Sequence, residues 1–344
     1  MNTEFTAQII RNSADGIAGL AAARLFEQHP HDLVDDFATW KGHLRNQALQ
    51  LSAALQSQST CAFADHVTWM LVALQAQNIP ASAVLKSVEC LGEITSESIP
   101  TEMVTELTPY LEAAYQRFEQ KEQSSQSCLA KDGPARVQAL DFIAALRNGE
   151  EQEAAQAILS AHTQQGQSVQ EIVEEVLSPA LQEMGRLWHL GEATIAEEHF
   201  VTQATQKILA QLLAVAPQKP KNGNTAVLSG VAGESHSFGI QVVAGYLQME
   251  GWRTVCLGSD TPPAELAGAA RDFSADVILL SATMGIQIPS VIESIQQIRQ
   301  LSPSTKIVVG GSAFASGNEL CKLVGADKQA MDGRDAVRLA NACL

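Results

Sequence analysis

The chain has no run of about twenty apolar residues, and it has no charged amino terminus followed by an apolar stretch and a cleavage site. We therefore expect a cytoplasmic protein that neither spans a membrane nor is secreted. Basic residues are also few, since 22 Lys and Arg stand against 38 Asp and Glu, for a formal net charge of −16. Proteins bind nucleic acid largely by neutralising phosphates with Lys and Arg. This balance of charge argues against direct contact with nucleic acid.

Paired cysteines are missing as well. The six cysteines show no paired spacing such as C-x-x-C, so we expect reduced thiols that serve mostly in packing. They are Cys61, Cys90, Cys128, Cys256, Cys321 and Cys343. At 344 residues the chain is long enough for two or three domains.

Residues 224–344 alternate short apolar runs with amphipathic segments, which is the pattern of a βα protein. The predicted strands are 225–229, 253–257, 276–281 and 306–309, with a weak fifth strand within 327–331. The predicted helices are 240–249, 264–273, 290–301, 318–324 and 336–342. Because the strands are continuously apolar, both faces of their sheet should be covered, as in a parallel flavodoxin-like or Rossmann-like domain.

Polar loops follow three of these strands. The first strand ends in Gly233-Glu234-Ser235-His236-Ser237-Phe238-Gly239, which puts an imidazole where open α/β sheets bind ligands. A hydrogen bond from Glu234 to the far ring nitrogen would make the other nitrogen of His236 a better metal ligand. The alternative is an ordinary polar loop. The third and fourth strands are followed by Ser281-Ala282-Thr283 and Gly310-Gly311-Ser312, so the three loops should meet at one edge of the sheet.

This arrangement resembles the cobalamin-binding domain of methionine synthase and its relatives. The resemblance covers residues 134–344 and implies that His236 is the lower axial ligand of cobalt, in place of the cofactor's own dimethylbenzimidazole. It also implies that the displaced nucleotide tail enters the sheet past hydroxyl groups and a glycine pair. The cofactor contacts implied in this domain are Gly233, Glu234, Ser235, His236, Ser237, Gly239, Ser281, Thr283, Gly310 and Gly311. Glu234 stands where the family more commonly has aspartate.

Four segments that precede this domain have apolar residues at helical spacing and predict a four-helix bundle over residues 134–217. They are 135–147, 152–164, 169–187 and 195–213, and Pro179 should kink the third of them. Trp188 and His189 lie at the end of that helix, and Glu198 and His199 follow. A Trp followed after nine residues by Glu-His resembles the signature of the adenosylcobalamin photoreceptors of the CarH type.

This second resemblance implies that the bundle caps the upper face of adenosylcobalamin, with Trp188 over the adenosyl group and with Glu198 and His199 lining its pocket. It further implies that His189 is a possible upper cobalt ligand once light has removed the adenosyl group. In an arbitrary protein a Trp at a helix end is usually core, and an acidic–His pair is usually solvated. His189 would then simply cap its helix before Gly191.

Residues 1–120 are predicted to form a separate all-helical domain, joined to the bundle by a polar linker at 121–133. Its predicted helices are 37–55, 62–77, 81–94 and 102–120. CarH-type repressors have a helix-turn-helix DNA-binding domain in this place, and we find no such motif. Trp40, Trp69 and His66 favour a packed core with one interface histidine over a haem or other ligand site. His29-Pro30-His31 favours a solvated turn over a weak metal site.

The sequence thus predicts three regions, an N-terminal all-α domain at 1–120, a helical cap at 134–217 and a parallel sheet domain at 223–344. The predicted function is non-enzymatic: an adenosylcobalamin-binding light sensor that acts through an unidentified protein partner or through self-association, as a homo-oligomer. A methyl group is small and forms no hydrogen bonds, whereas an adenosyl group offers polar edges to cap residues. Two alternatives stay open, a corrinoid methyl carrier for methyltransferases and a light-independent cobalamin sensor.

Overall fold

The computed structural model describes residues 3–31, 33–119, 127, 129, 133–315 and 318–343. Its N-terminal part consists, within this range, of five helices packed around their own apolar core. They are α1 (Thr3–Gln28), α2 (Phe37–Gln56), α3 (Thr60–Ala76), α4 (Ala81–Ser98) and α5 (Thr101–Glu119). Trp40, Leu51 and Phe63 are among the fully buried side chains of this core.

Helix α1 was not predicted, whereas the other four helices of this part were. Its buried face is built largely of alanine, including Ala7, Ala14, Ala18 and Ala21. Alanine is the best helix former but contributes little to an apolar periodicity, so the segment carries a weak signal of amphipathicity. The small side chains let α1 pack along α2 and α4.

The second part is the predicted bundle. Its helices are α6 (Pro134–Arg147), α7 (Glu151–Thr163), α8 (Val169–Ile172), α9 (Ser178–His189) and α10 (Ile195–Val215). A π-helical turn, Val173–Leu177, joins α8 to α9, so the predicted distortion lies just before Pro179. Proline has no N–H to donate and its ring clashes with the carbonyl four residues earlier, which a widened turn relieves.

Part of the predicted linker packs onto this bundle. The Ser127 hydroxyl donates to the Glu183 carboxylate at 2.8 Å, and Leu129 is buried in the bundle core. Residues 121–126, 128 and 130–132 of the predicted linker lie outside the described residues. The domain boundaries therefore stay a prediction.

The third part is a five-stranded parallel sheet in the order β2-β1-β3-β4-β5. Its strands are β1 (Thr225–Val231), β2 (Arg253–Thr261), β3 (Val277–Ser281), β4 (Lys306–Gly310) and β5 (Lys328–Gln329). The helices between and after them are α11 (Phe238–Met249), α12 (Pro263–Asp272), α13 (Ile288–Leu301), α14 (Asn318–Val324) and α15 (Gly333–Ala342). Separate apolar clusters cover the two faces, as predicted from the continuously apolar strands.

The strand order places a topological switch point between β1 and β3, because the chain runs from β1 outward in both directions. Ligands of open α/β sheets bind in the crevice at the carboxyl ends of such strands. The N-terminal helices reach this edge, since α2 packs against the short turn Gly285–Gln287 after β3 and α3 packs against α9.

Two predictions from composition can be compared with the described residues. None of the helices within them is long and apolar enough to cross a bilayer. Five cysteines are free thiols, but only Cys90 and Cys321 are buried, so the expectation that the thiols serve mostly in packing was wrong. Cys128 lies outside the described part of the chain.

Candidate functional site

The loop after β1 is held in place from both sides. Gly233 has a φ of 83°, which favours glycine, and its N–H donates to the Asp260 carboxylate at 2.8 Å. The side-chain amide of Gln287, itself buried, donates to the Gly233 carbonyl at 3.0 Å. The sequence did not point to Asp260 or Gln287, because each lies in another part of the chain and contacts this loop only in the folded protein.

Glu234 is the centre of the hydrogen-bond network. Its carboxylate is fully buried, and one oxygen accepts from the backbone N–H of His236 at 2.7 Å and from His236 Nδ1 at 2.6 Å. The other oxygen accepts from the backbone N–H of Thr283 at 2.6 Å and from the Thr283 hydroxyl. The predicted Glu234–His236 hydrogen bond is therefore present, and it leaves Nε2 of His236 with a free lone pair.

A missing side chain makes room for Glu234. A Cβ on Gly230 would lie 2.8 Å from Cγ of Glu234, so the glutamate folds back across the end of β1. The aspartate that is commoner at position 234 in the resembled family is one methylene shorter and would approach Gly230 less closely. A glycine near the end of a strand often marks such a close approach, and Gly230 is the sequence signal for this contact.

The network shifts the pKa values of both partners. Burial raises the pKa of Glu234, but hydrogen bonds from His236 and Thr283 outweigh burial and hold that pKa below its ordinary value. The hydrogen bond to Glu234 raises the pKa of His236, against the opposing effect of burial, and the charges of Glu234 and Glu198 add to the rise. Glu198 on α10 therefore lies within electrostatic reach of His236.

The residues of this site suit a cobalt ion that a corrin ring already surrounds. Such a metal needs one axial imidazole from the protein, and the His236 side chain is 64% exposed with its Nδ1 anchored. Among the described residues there is no group of three or more His, Cys, Asp or Glu side chains arranged to hold a bare metal ion. His29 and His31 are among the residues searched, and they belong to no such group.

The loops after β3 and β4 meet as predicted, with Ser281 paired to Gly310 in the sheet register. Gly311 has a φ of 98°, and a Cβ there would lie 2.2 Å from the Ala282 carbonyl oxygen. Packing within the protein thus requires glycine at Gly311 whether or not a ligand is near. Gly310 differs, because a Cβ there would have only an ordinary contact, 3.5 Å from the Ala330 carbonyl.

The hydroxyl groups of Thr283 and Ser281 differ in whether they can donate a hydrogen bond to a ligand. Thr283 donates its only hydroxyl proton to Glu234, so it can accept one more hydrogen bond but cannot donate one. The freed ring nitrogen of a displaced base is an acceptor and needs a donor. Of the two hydroxyls that the resemblance implies, Ser281 is the one with a proton to offer.

The remaining loop residues differ in what they contact. The Ser237 hydroxyl accepts from Gln206 of α10 at 3.1 Å and from Gln241 at 3.2 Å, so it ties the sheet domain to the bundle. Ser235 is exposed. Gly239 has open space where a side chain would begin.

The predicted cap residues lie on two consecutive helices, Trp188 and His189 in the last turn of α9 and Glu198 and His199 at the start of α10. One Glu198 oxygen lies 2.6 Å from His199 Nδ1, and the other accepts from the Thr202 hydroxyl at 2.8 Å. Trp188 is 38% exposed, so it is not the core residue of the alternative interpretation. The exposed Trp and the bonded Glu–His pair offer an aromatic face and polar groups to a ligand.

His189 makes a contact that neither sequence interpretation anticipated. Its Nε2 donates to the backbone carbonyl of Trp69 at 2.8 Å, across 120 residues of chain. Its ring stacks on the Trp69 indole with centroids 4.9 Å apart and planes 8° apart. The expected packed core holds for Trp40 and His66, which are buried, but Trp69 is 42% exposed at this interface. The exposure of Trp69 shows that its expected place in the core was wrong, and the histidine at this interface is His189 instead of the buried His66.

Comparison with known proteins defines the class. A B12 binding domain model matches residues 224–340, and a second B12 binding domain model matches residues 139–213. The two matches together span more than half of the chain and cover the sheet domain and most of the bundle. The chain belongs to the B12-binding family, as the sequence resemblance predicted.

Its relatives fall into two groups. The HTH-type transcriptional repressors CarH and CarA of Myxococcus xanthus are 30% identical over 151 residues and 35% identical over 142 residues. These matches cover 43% and 39% of this chain and 50% and 45% of the repressors, so the chain spans about half the length of these relatives or less. Dimethylamine corrinoid protein 1 of Methanosarcina acetivorans is 25% identical over 178 residues, 51% of this chain and 83% of that protein.

A solved structure shares the fold. The monomethylamine corrinoid protein of Methanosarcina barkeri superposes with a TM-score of 0.52 at 18% identity, over 59% of this chain and 97% of that chain. The prediction of a helical region followed by a parallel Rossmann-like domain is thereby confirmed. The two B12 binding domain matches support cobalamin binding. The relatives include both repressors and corrinoid proteins, so the upper ligand has to be argued from the site.

Proposed function

We propose that this chain is an adenosylcobalamin-dependent light sensor that signals through a protein partner or through self-association. Two features of the cap carry the proposal, the exposed Trp188 in the last turn of α9 and the hydrogen-bonded Glu198–His199 pair at the start of α10. A methyl group would leave these polar groups unused, whereas an adenosyl group has ribose hydroxyls and an adenine edge to pair with them. The proposal includes no catalytic residue, and the acidic chain is expected to contact neither nucleic acid nor membrane.

The lower side of the proposed site is rigid. His236 would hold cobalt through Nε2, while Glu234 keeps the proton on Nδ1 and fixes the ring. Ser281 would donate to the displaced base, and Thr283 would keep Glu234 in place. Gly310 leaves space along the path of the tail. Ser235, Ser237 and Gly239 would lie against the corrin.

The upper side would respond to the ligand. Bound adenosylcobalamin supplies a light-sensitive cobalt–carbon bond. Trp188 offers an indole for packing, and Glu198 and His199 offer an acceptor and a donor within the same turn of α10. A switch requires different contacts in two states, and the packing of Trp188 is the contact that loss of an adenosyl group would change. His189, next to Trp188, remains the candidate upper ligand after illumination.

The test is to load the protein with adenosylcobalamin in the dark and to record its absorption spectrum and elution volume before and after illumination. We expect a changed cobalt spectrum, a changed elution volume, and tighter binding of adenosylcobalamin than of methylcobalamin. Equal affinity for the two forms together with a light-insensitive elution volume would contradict the proposal. A change on binding that light does not alter would indicate a light-independent sensor.

A corrinoid methyl carrier is the second candidate. It is favoured by the match to the dimethylamine corrinoid protein, which covers 83% of that protein's length. In this case the N-terminal helices would dock a methyltransferase, and protein purified from its native source would contain a methylated cofactor. Finding the adenosyl form instead would support the sensor.

A further inference from the structure

The N-terminal domain and the cap meet through a cluster of aromatic rings. Trp69 on α3 stacks on His189 and lies 6.4 Å from Trp188, with the two indole planes tilted by 41°. His66 lies on the other side, 6.4 Å from Trp69 and within 20° of parallel. Trp69 and Trp188 stay 42% and 38% exposed, so each has a free face beside this contact.

Two further contacts place the same domain against both walls of the cobalamin site. A Cβ on Gly191, just after α9, would lie 3.4 Å from the backbone oxygen of Ala76, so the chains approach closely there. A Cβ on Gly285, in the turn after β3, would lie 3.6 Å from the side-chain oxygen of Gln50. That turn also contains Gln287, which accepts from the Thr283 N–H and donates to the Gly233 carbonyl, so it connects the loop after β3 to the loop that contains His236.

We propose that Trp69 stacked on His189 is a latch that holds the N-terminal helical domain onto the cobalamin site, and that loss of the group above cobalt opens it. The coupling rests on the proposed function. Trp188 and His189 are consecutive in the last turn of α9, and Gly191 follows within three residues. Movement of Trp188 therefore disturbs the stack, the hydrogen bond to the Trp69 carbonyl and the contact with Ala76 together.

The latch also connects the cap to the N-terminal helices. Nε2 of His189 is engaged by the Trp69 carbonyl, so any other use of that nitrogen requires the latch to open. Opening would expose Trp69 and the face of α3 around Ala76.

The experiment measures hydrogen–deuterium exchange of α3 and of residues 187–191 in the full chain loaded with adenosylcobalamin. Trp69→Ala should speed exchange of both segments in the dark by about tenfold, the factor that corresponds to about 1.4 kcal/mol. Trp69→Phe keeps an aromatic face and should give an intermediate rate. Leu20→Ala is the matched control, because Leu20 is a large apolar residue of the same domain that is 58% exposed. It should leave both rates unchanged.

Illumination of the wild-type protein should raise the exchange of both segments to the dark level of Trp69→Ala, and it should not raise that variant further. Wild-type rates in both Trp69 variants would overturn the latch. If light changes the cobalt spectrum but not the exchange, the coupling is wrong and the sensor proposal stands. If the spectrum itself does not respond to light, the sensor proposal fails. In that case the latch is tested by comparing the exchange of α3 and of residues 187–191 in cofactor-free and in cofactor-loaded protein. Slower exchange in the loaded protein supports the latch, and equal rates overturn it.

Discussion

Replacing Glu234 by Gln tests the lower half of the site most sharply, because the change removes a charge and almost no volume. The buried carboxylate accepts four hydrogen bonds, two from His236 and two from Thr283. An amide has one acceptor oxygen, so its NH₂ group must face one of these two pairs of donors. At about 1.5 kcal/mol each, the lower end for hydrogen bonds to charged groups, two lost bonds cost about 3 kcal/mol of unfolding free energy.

The effect on cofactor binding follows from the same contacts. If the NH₂ group turns toward His236, it donates to Nδ1 and drives the ring proton to Nε2, the atom needed for cobalt. If it turns toward Thr283, the imidazole keeps its tautomer but loses its anionic partner. Outer partners of ligating histidines typically contribute 10–100-fold in metal affinity, so we expect Glu234→Gln to weaken cobalamin binding by at least about tenfold.

The assay is a titration with cobalamin followed by absorbance, which reports affinity and axial ligation together. Thermal unfolding of the cofactor-free variants separates a damaged fold from lost ligation. Glu234→Asp is the matched control, because it retains the charge and relieves the contact with Gly230, and it should bind more tightly than Glu234→Gln. Wild-type affinity and an unchanged spectrum in Glu234→Gln would refute the role assigned to this carboxylate.

Four further outcomes are expected. His236→Ala should bind cobalamin weakly or without protein ligation, and a bound spectrum like that of wild type would show the ligand assignment to be wrong. Trp188→Ala should lower the preference for adenosylcobalamin over methylcobalamin by about tenfold, as expected for loss of an aromatic contact worth about 1.4 kcal/mol; an unchanged preference in paired titrations would exclude that packing. Ser281→Ala should weaken cobalamin binding by about fivefold, near one net hydrogen bond of about 1 kcal/mol, whereas Thr283→Ser, which keeps its hydroxyl, should not. Burial lowers the pKa of His66 to about 4 from 6.5. Between these two pH values the unfolded chain therefore binds more protons than the folded chain. The free energy of unfolding should fall by about 3 kcal/mol as the pH drops from about 6.5 to about 4. Thermal unfolding of His66→Gln should lack that part of the pH dependence.

The sheet domain was predictable because its signals are local. The strands β1, β3 and β4 are short, largely apolar runs followed by glycine or small polar residues, and the order of the loops along the chain places these loops at one edge. The pairing of Glu234 with His236 was predictable for the same reason, since two residues of one loop can meet without help from the rest of the fold.

Contacts between distant parts of the chain were not predictable in this way. Gln287 supports the loop after β1 only because β3 lies beside that strand. Trp69 and His189 are 120 residues apart, and nothing in either segment records that α3 will lie against the end of α9. Helix α1 was missed for another reason, because its alanine-rich face lacks the large apolar side chains that make a periodicity visible.

The two sides of the candidate site differ in how firmly their side chains are held by hydrogen bonds and packing. Below, the buried Glu234 is saturated with donors, and Gln287 ties its loop to the turn after β3. Above, the His199 side chain is largely in solvent, Trp188 is partly exposed, and the Trp69 contact is a single stack with one hydrogen bond. If His236 is the lower ligand, as proposed, this rigidity confines any change at cobalt to the opposite face. The N-terminal domain contacts both sides of the site, and the Trp69 stack is its contact with the side that has the fewest restraints, so a change of ligand there can reach that domain.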